Sequence, residues 1–291
     1  LIFKDEGNLA VESGGKLNIT SGKITVLDDS NSNTSGGDIN VNNQNLIKDG
    51  EGHLKVGNTI LVENNNVLVK EGLLSINGNL KTNNLIVEPL GTLGGDGNIE
   101  ANVQISGTLS PGNSPGTLNI AGGLTFDDSS TTQIEIESLT NHDQTNATGD
   151  ITLDGTLTST IFGSGSIAVG NKYDVFQTSG GTITGEFDTY NAPTNFRIRL
   201  LNDGSIASLR FAPVSYTLMA RTQNQFNVAA ALDSFIPATA GDALTVSTAL
   251  DERTESAYPL AFEQVRPYFH EIVSEILLDQ SFHQTEFFQN R

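Results

Sequence analysis

The chain has 291 residues, no cysteine and no tryptophan, and a formal net charge of −19. That composition excludes disulfide scaffolds, thiolate catalysis and cysteine-built zinc sites. From Thr82 to Asn171 there is no Lys or Arg, so nucleic acid is excluded as a partner and an anionic lipid surface is disfavoured, because both need a basic face.

The sequence opens on Leu1, with no basic n-region and apolar h-region after it, and reads as a fragment or a processed product. It contains no apolar run of the ~18 residues that a membrane-spanning helix needs. Apolar residues come instead in pairs with one residue between. In chain order these are Leu17/Ile19, Ile24/Val26, Ile39/Val41, Leu54/Val56, Ile60/Val62, Val67/Val69, Leu74/Ile76 and Leu85/Val87. The series goes on through Val103/Ile105, Leu118/Ile120, Leu124/Phe126, Ile134/Ile136 and Ile151/Leu153. A period of two predicts strands that each turn one row of side chains into a core. Many pairs follow one another at about seven residues or twice that, so three strand-plus-turn units make a coil of about 21, within the range of solenoid repeats. Such coils stack at the ordinary strand spacing of about 4.8 Å.

Asparagine marks the corners, as NSN at Asn31–Asn33, VNNQN at Val41–Asn45 and ENNN at Glu63–Asn66. It tolerates left-handed backbone angles, and stacked Asn side chains form ladders from coil to coil. The competing fold, an up-and-down antiparallel barrel, favours two-residue Asn-Gly hairpins, and only Asn77-Gly78 offers one. The reading is therefore mainly β: a right-handed single-stranded parallel β-helix, a solenoid, with a C-terminal β cap region and a short α-helical tail. Residues 1–123 are expected to supply the rungs, 124–212 the cap, and 213–291 a helical linker.

Within the stretch Ser106–Ile120, SGTLSPGNSPGTLNI, the segment Ser110-Pro111-Gly112-Asn113-Ser114-Pro115-Gly116 reads as a rigid corner between the Val103/Ile105 and Leu118/Ile120 strands. After Phe211-Ala212-Pro213 the period changes. Thr222 is expected to cap a helix with Phe226, Ala229, Ala230 and Leu232 on one side, limited by Pro237. Asp242 reads as the N-cap for Ala243 to Leu250. Pro267 opens a longer helix to about Gln289, with Phe269, Ile272, Val273, Ile276 and Leu277 as its apolar stripe.

Candidate chemistry was weighed site by site. GGDGNIE at Gly94–Glu100 has Ile99 where a calcium nonapeptide needs Asp. DSNSN at Asp29–Asn33 begins like a calcium loop but has Thr34 at the Gly position and Asn40 at the acidic one. His53, His142, His270 and His283 have no metal-ligand spacing. FGSGS at Phe162–Ser166 is a turn rather than a nucleophile elbow. The carboxylate pairs Asp28-Asp29 and Asp127-Asp128 point to opposite faces if they lie on strands. No catalytic, cofactor-binding or metal-ligating residue and no cofactor is expected, and the chain reads as not an enzyme.

Five segments in order carry a resemblance. GTLGGDGNI with GTLSPGNSPGTLNI, GGLTFDDSSTTQIEIE at Gly122–Glu137, GDITLDGTL at Gly149–Leu157, YDVFQTSGGTITGEF at Tyr173–Phe187 and ARTQNQFNVAAALD at Ala220–Asp233 resemble the C-terminal passenger region of bacterial autotransporters, the type V secretion proteins. The resemblance covers roughly Gly91 to the C-terminus. It implies a surface-exposed or secreted passenger segment, a structural stalk and folding nucleus (the autochaperone region), with an adhesin role as a further option. It also implies a partner: the protein's own outer-membrane β-barrel, toward which the C-terminal helix would lead, with host or neighbouring cells as possible ligands. The alternative reading is a secreted β-helix enzyme or binding module acting on glycans.

Overall fold

The computed structural model describes residues 2–3, 15–19, 24–26, 32–33, 37–236 and 241–264, with side chains from 39 onward. The protein is mainly β: twenty-four strands join one hydrogen-bonded network, and the described residues also hold three α-helical stretches, the last at 258–264, and two 3₁₀ turns. The chain divides into two compact units. One takes Leu1–Ile167 with Lys172–Arg210, and the other takes Ala168–Asn171 with Phe211–Arg291.

In the first unit every strand expected from an apolar doublet is present. Each doublet residue from Ile39 to Leu153 is at most 3% exposed. Strands pair in parallel, so inward residues stack in three rows. One row runs Ile39, Ile60, Leu80, Ile99, Ile120, Ala147. A second runs Leu46, Val67, Leu85, Val103, Leu124, Ile151, Ile183. The third runs Leu54, Leu74, Leu93, Leu109, Thr132, Leu157, Tyr190. Strands within the run, such as Gly37–Asn42 and Thr59–Glu63, pair on both edges, which satisfies the peptide groups beneath the buried rows.

The corner at Ser110–Gly116 is shorter than expected. Ser110 and Pro111 belong to the strand Thr108–Pro111, where Pro111 pairs with Gly95. Burying Leu109 and Pro111 carries the strand two residues further, and the chain turns only at Gly112, whose φ is +85°. A Cβ there would lie 2.2 Å from the Gly116 nitrogen, so glycine is required.

Toward the C-terminal end aromatics replace aliphatics. Phe126, Phe176 and Phe187 meet with ring centroids 5.7 to 6.1 Å apart, and Tyr190 packs edge-on against Phe187 at 6.0 Å. Burial pushes the Tyr190 hydroxyl up to about 12. Here the strand direction also reverses. Ile206–Pro213 runs antiparallel to Lys172–Thr178, whose other edge pairs in parallel with Gln144–Ala147. A turn at Asp203-Gly204-Ser205 leads from Phe196–Asn202 into that strand. The Asp203 carboxylate accepts from the Ser205 and Ile206 N–H groups at 2.9 and 2.8 Å, and these hold it below the usual carboxylate range.

The second unit holds helix α1, Gln223–Asp233, and helix α2, Gly241–Asp251. Thr222 caps α1 as expected, its hydroxyl accepting from the Gln225 N–H at 3.2 Å. The buried face differs from the expected one: Gln225, Ala229 and Leu232 are buried, while Phe226 is 47% exposed and Ala230 is exposed. Asp242 lies inside the first turn of α2, because that helix starts at Gly241, two residues before the expected Ala243. Tyr216 anchors this unit, donating from its hydroxyl to Asp251 Oδ1 at 2.8 Å, while its N–H donates to Asp233 Oδ1 at 2.6 Å. The helix expected from Pro267 to Gln289, with its stripe, His270 and His283, lies outside the described residues. So do Asp28, Asp29 and Asn31.

Candidate functional site

One position before the first inward row, on the outward side of the strands, stand Asn79, Asn98, Asn119 and Asn146, aligned strand to strand. Thr59 precedes them and Gln177 follows. The Asn98 amide donates to Asn79 Oδ1 and the Asn146 amide to Asn119 Oδ1, each at 3.1 Å. One position after the inward row come Lys81 and Glu100, which form an ion pair, and then Ala121, Thr148 and Ser179. Because these last three side chains are short and the amides are long, a groove of about 660 Å³ opens between the two outward rows. Across the Lys81–Glu100 pair lies a second depression of about 640 Å³, bordered by Asn64, Asn83 and Asn102.

The corners ahead of the amide row stack backbone on backbone. A Cβ on Gly78 would meet the Asn58 carbonyl oxygen at 2.1 Å, and one on Gly97 the Gly78 oxygen at 2.3 Å. Glycine at these two corners lets neighbouring stretches of backbone approach closely, which holds the following amides in register. Lys81 and Glu100 are about half exposed and neutralise each other, so the groove carries amide dipoles and no net charge. Such a surface can donate and accept hydrogen bonds at every step.

Two buried polar groups sit elsewhere in the same unit. Asp143 is fully buried, and its carboxylate accepts from the Gly116 N–H at 2.9 Å and the Glu135 N–H at 2.8 Å. Burial outweighs those donors and pushes its carboxyl up to about 7. Lys48 is also fully buried, and its Nζ donates to the Gly50, Glu71 and Asp49 carbonyls at 2.6, 3.0 and 3.2 Å. Three carbonyls can satisfy an ammonium completely. Neither group was singled out from sequence. Lys48 breaks the apolar pairing rule, and Asp143 is one acid among many in a polar loop.

The residues weighed from sequence scatter. His53 lies at the start of the strand His53–Val56, its ring held below the usual range by burial and then by the charges of Lys55 and Lys48. His142 is buried edge-on against Tyr173 at 5.5 Å, with Nε2 3.1 Å from the Asp174 carbonyl oxygen. Asp127 follows the strand Leu124–Phe126 in a turn, where its carboxylate accepts from the Ser106 and Ser129 hydroxyls while Asp128 is exposed. Of the early corners expected to carry Asn ladders, Val41–Asn45 and Glu63–Asn66 do: the Asn64 amide donates to Asn43 Oδ1 at 3.3 Å, and Asn43 and Asn64 have φ of +58° and +60°; the side chains of Asn31–Asn33 lie outside the described ones. The longer ladder from Asn79 to Asn146 went unread, because its members are separated by whole coils of unlike sequence.

No protein-family model matches the chain. It is similar to a protein of Serratia marcescens named "Extracellular serine protease", 29% identical over 178 residues that make up 57% of this chain and 17% of that protein. The chain thus spans less than a fifth of the relative's length. The name overturns the expectation that the chain is not an enzyme, since the protein it is similar to is named a protease. The same name describes an extracellular protein, in keeping with a secreted or surface location. No helix among the described residues is long and apolar enough to cross a membrane, which says nothing of a β-barrel.

Proposed function

We propose that the chain is part of an autotransporter passenger, a right-handed parallel β-helix that serves as a rigid stalk at the cell surface and whose C-terminal portion seeds its folding. The observation that carries the reading is the long run of parallel strand pairing, interrupted by one antiparallel excursion at Asn141–His142, that ends on an antiparallel strand. A parallel stack offers an open edge at each end, and every new coil needs a formed edge to pair with. An end closed by a reversed strand and filled with interlocked aromatics is one such edge already made. The segments that carry the resemblance supply its core: Tyr173, Val175 and Phe187 are buried, and Gly185 meets the Leu153 carbonyl oxygen so closely that a Cβ would lie 2.3 Å from it.

In this reading the chain crosses the outer membrane C-terminus first, through a barrel of the same protein, and successive coils template on the seed outside. Folding there biases the chain against sliding back, with no nucleotide hydrolysis needed. Where the longer protein is a protease, as its relative is named, the stalk carries that activity at a distance from the membrane. Deleting Gly122–Phe211 tests the proposal: the remaining coils should become protease-sensitive at the cell surface. Full resistance in the deletion would end the idea.

A further inference from the structure

We propose that the amide-lined groove binds an extended, neutral glycan chain, a role beyond the structural one and carried by different residues. The chemistry of the lining points to hydroxyl groups. An asparagine amide has two N–H donors and a carbonyl acceptor, and the ladder bonds at Asn98 and Asn146 use one N–H of each. A second N–H on each residue therefore remains for a ligand. Sugar hydroxyls donate and accept at once, so they fit a surface that mixes both.

The geometry adds a direction. Successive amides follow at the strand spacing of about 4.8 Å, close to the advance of one pyranose ring along an extended glycan. Consecutive sugars therefore meet consecutive amides. At about 660 Å³ the groove has the volume of an ordinary ligand site. Electrostatics selects among glycans. Lys81 is paired with Glu100, no other Lys or Arg lines the groove, and the chain carries −19, so a uronate or sulfate chain would meet repulsion. A peptide strand is a poorer occupant, because it binds through unpaired sheet edges, and the strands beneath the groove are already paired on both sides.

The test is titration of the purified chain, followed by calorimetry and by the side-chain amide resonances in NMR. The ligands are cellohexaose, xylohexaose, mannohexaose and chitohexaose, with hexagalacturonate and an extended neutral hexapeptide as controls. At least one neutral hexamer should bind tenfold or more tighter than either control and shift asparagine side-chain amides. Ala121→Arg, placed at an exposed position where the fold is not at stake, should weaken binding at least tenfold with an unchanged circular dichroism spectrum. Asn119→Ala should weaken it at least threefold. Failure of all four neutral hexamers, equal or better binding of a control, or undiminished binding by the Arg variant would each overturn the proposal, whichever way the truncation assay falls.

Discussion

At the scale of single residues, Asp143 ties solution pH to stability. Its carboxyl has an ordinary value of 3.8 and is raised to about 7 by burial, against the pull of two backbone donors. Below about pH 4 folded and unfolded chains both hold the proton. Between there and about pH 7 the folded chain keeps it while the unfolded chain releases it, so stability from this group falls as pH rises. Asp143→Asn should remove that fall, flattening the pH dependence by up to about 1.4 kcal/mol per pH unit. Urea midpoints at pH 5 and pH 7.5 measure it: the wild-type difference should shrink in the variant, and an unchanged difference would assign the dependence to other groups. Neither Asp143 nor Lys48 could be read from sequence, because what makes each tolerable is a set of backbone partners from remote coils. For Lys48 one of these is the Glu71 carbonyl, 23 residues away.

At the scale of the strand and its corner, the sequence was most legible. Alternation reports which side chains face inward without reference to any partner, so every doublet fell on a strand. It does not report where a strand ends when the next residues are also extended, and Ser110-Pro111 looked like corner although both continue the strand. For α1 the cap was legible because Thr222 acts on its own helix, whereas the buried face was not, since Gln225 is buried through its bond to Glu263 at 3.2 Å. Corners carry a sharp expectation of their own. Gly97→Ala would drive a methyl group against the Gly78 carbonyl oxygen, and overpacking of that kind costs about 1–3 kcal/mol. Chemical denaturation should show that loss, while Gly163→Ala, where nothing lies within 4 Å, should lose less, limited to the strain of its φ of +56°. Equal losses would mean that the corners are not in contact.

At the scale of the whole molecule, neighbours were the illegible part. Ile99 pairs with Ile120, but Ile120 pairs with Ala147, because the antiparallel excursion at Asn141–His142 lengthens that coil. A fixed period therefore places the strands and misplaces their partners toward the C-terminus. The amide groove suffered most, being composed of one residue from each coil. The terminal reversal leads to a test in solution. Replacing Ala207 and Leu209, which stand opposite Phe176 and Tyr173, with proline would put residues without an N–H into that strand, and should bare the edge of Lys172–Thr178. Light scattering should then detect concentration-dependent self-association absent from the wild type, and a variant that stays monomeric would show that this edge needs no cover.

That reversal also gives the molecule a polarity. A strand running against the rest cannot continue the stacking that it completes, so added turns could be accommodated only toward the other end.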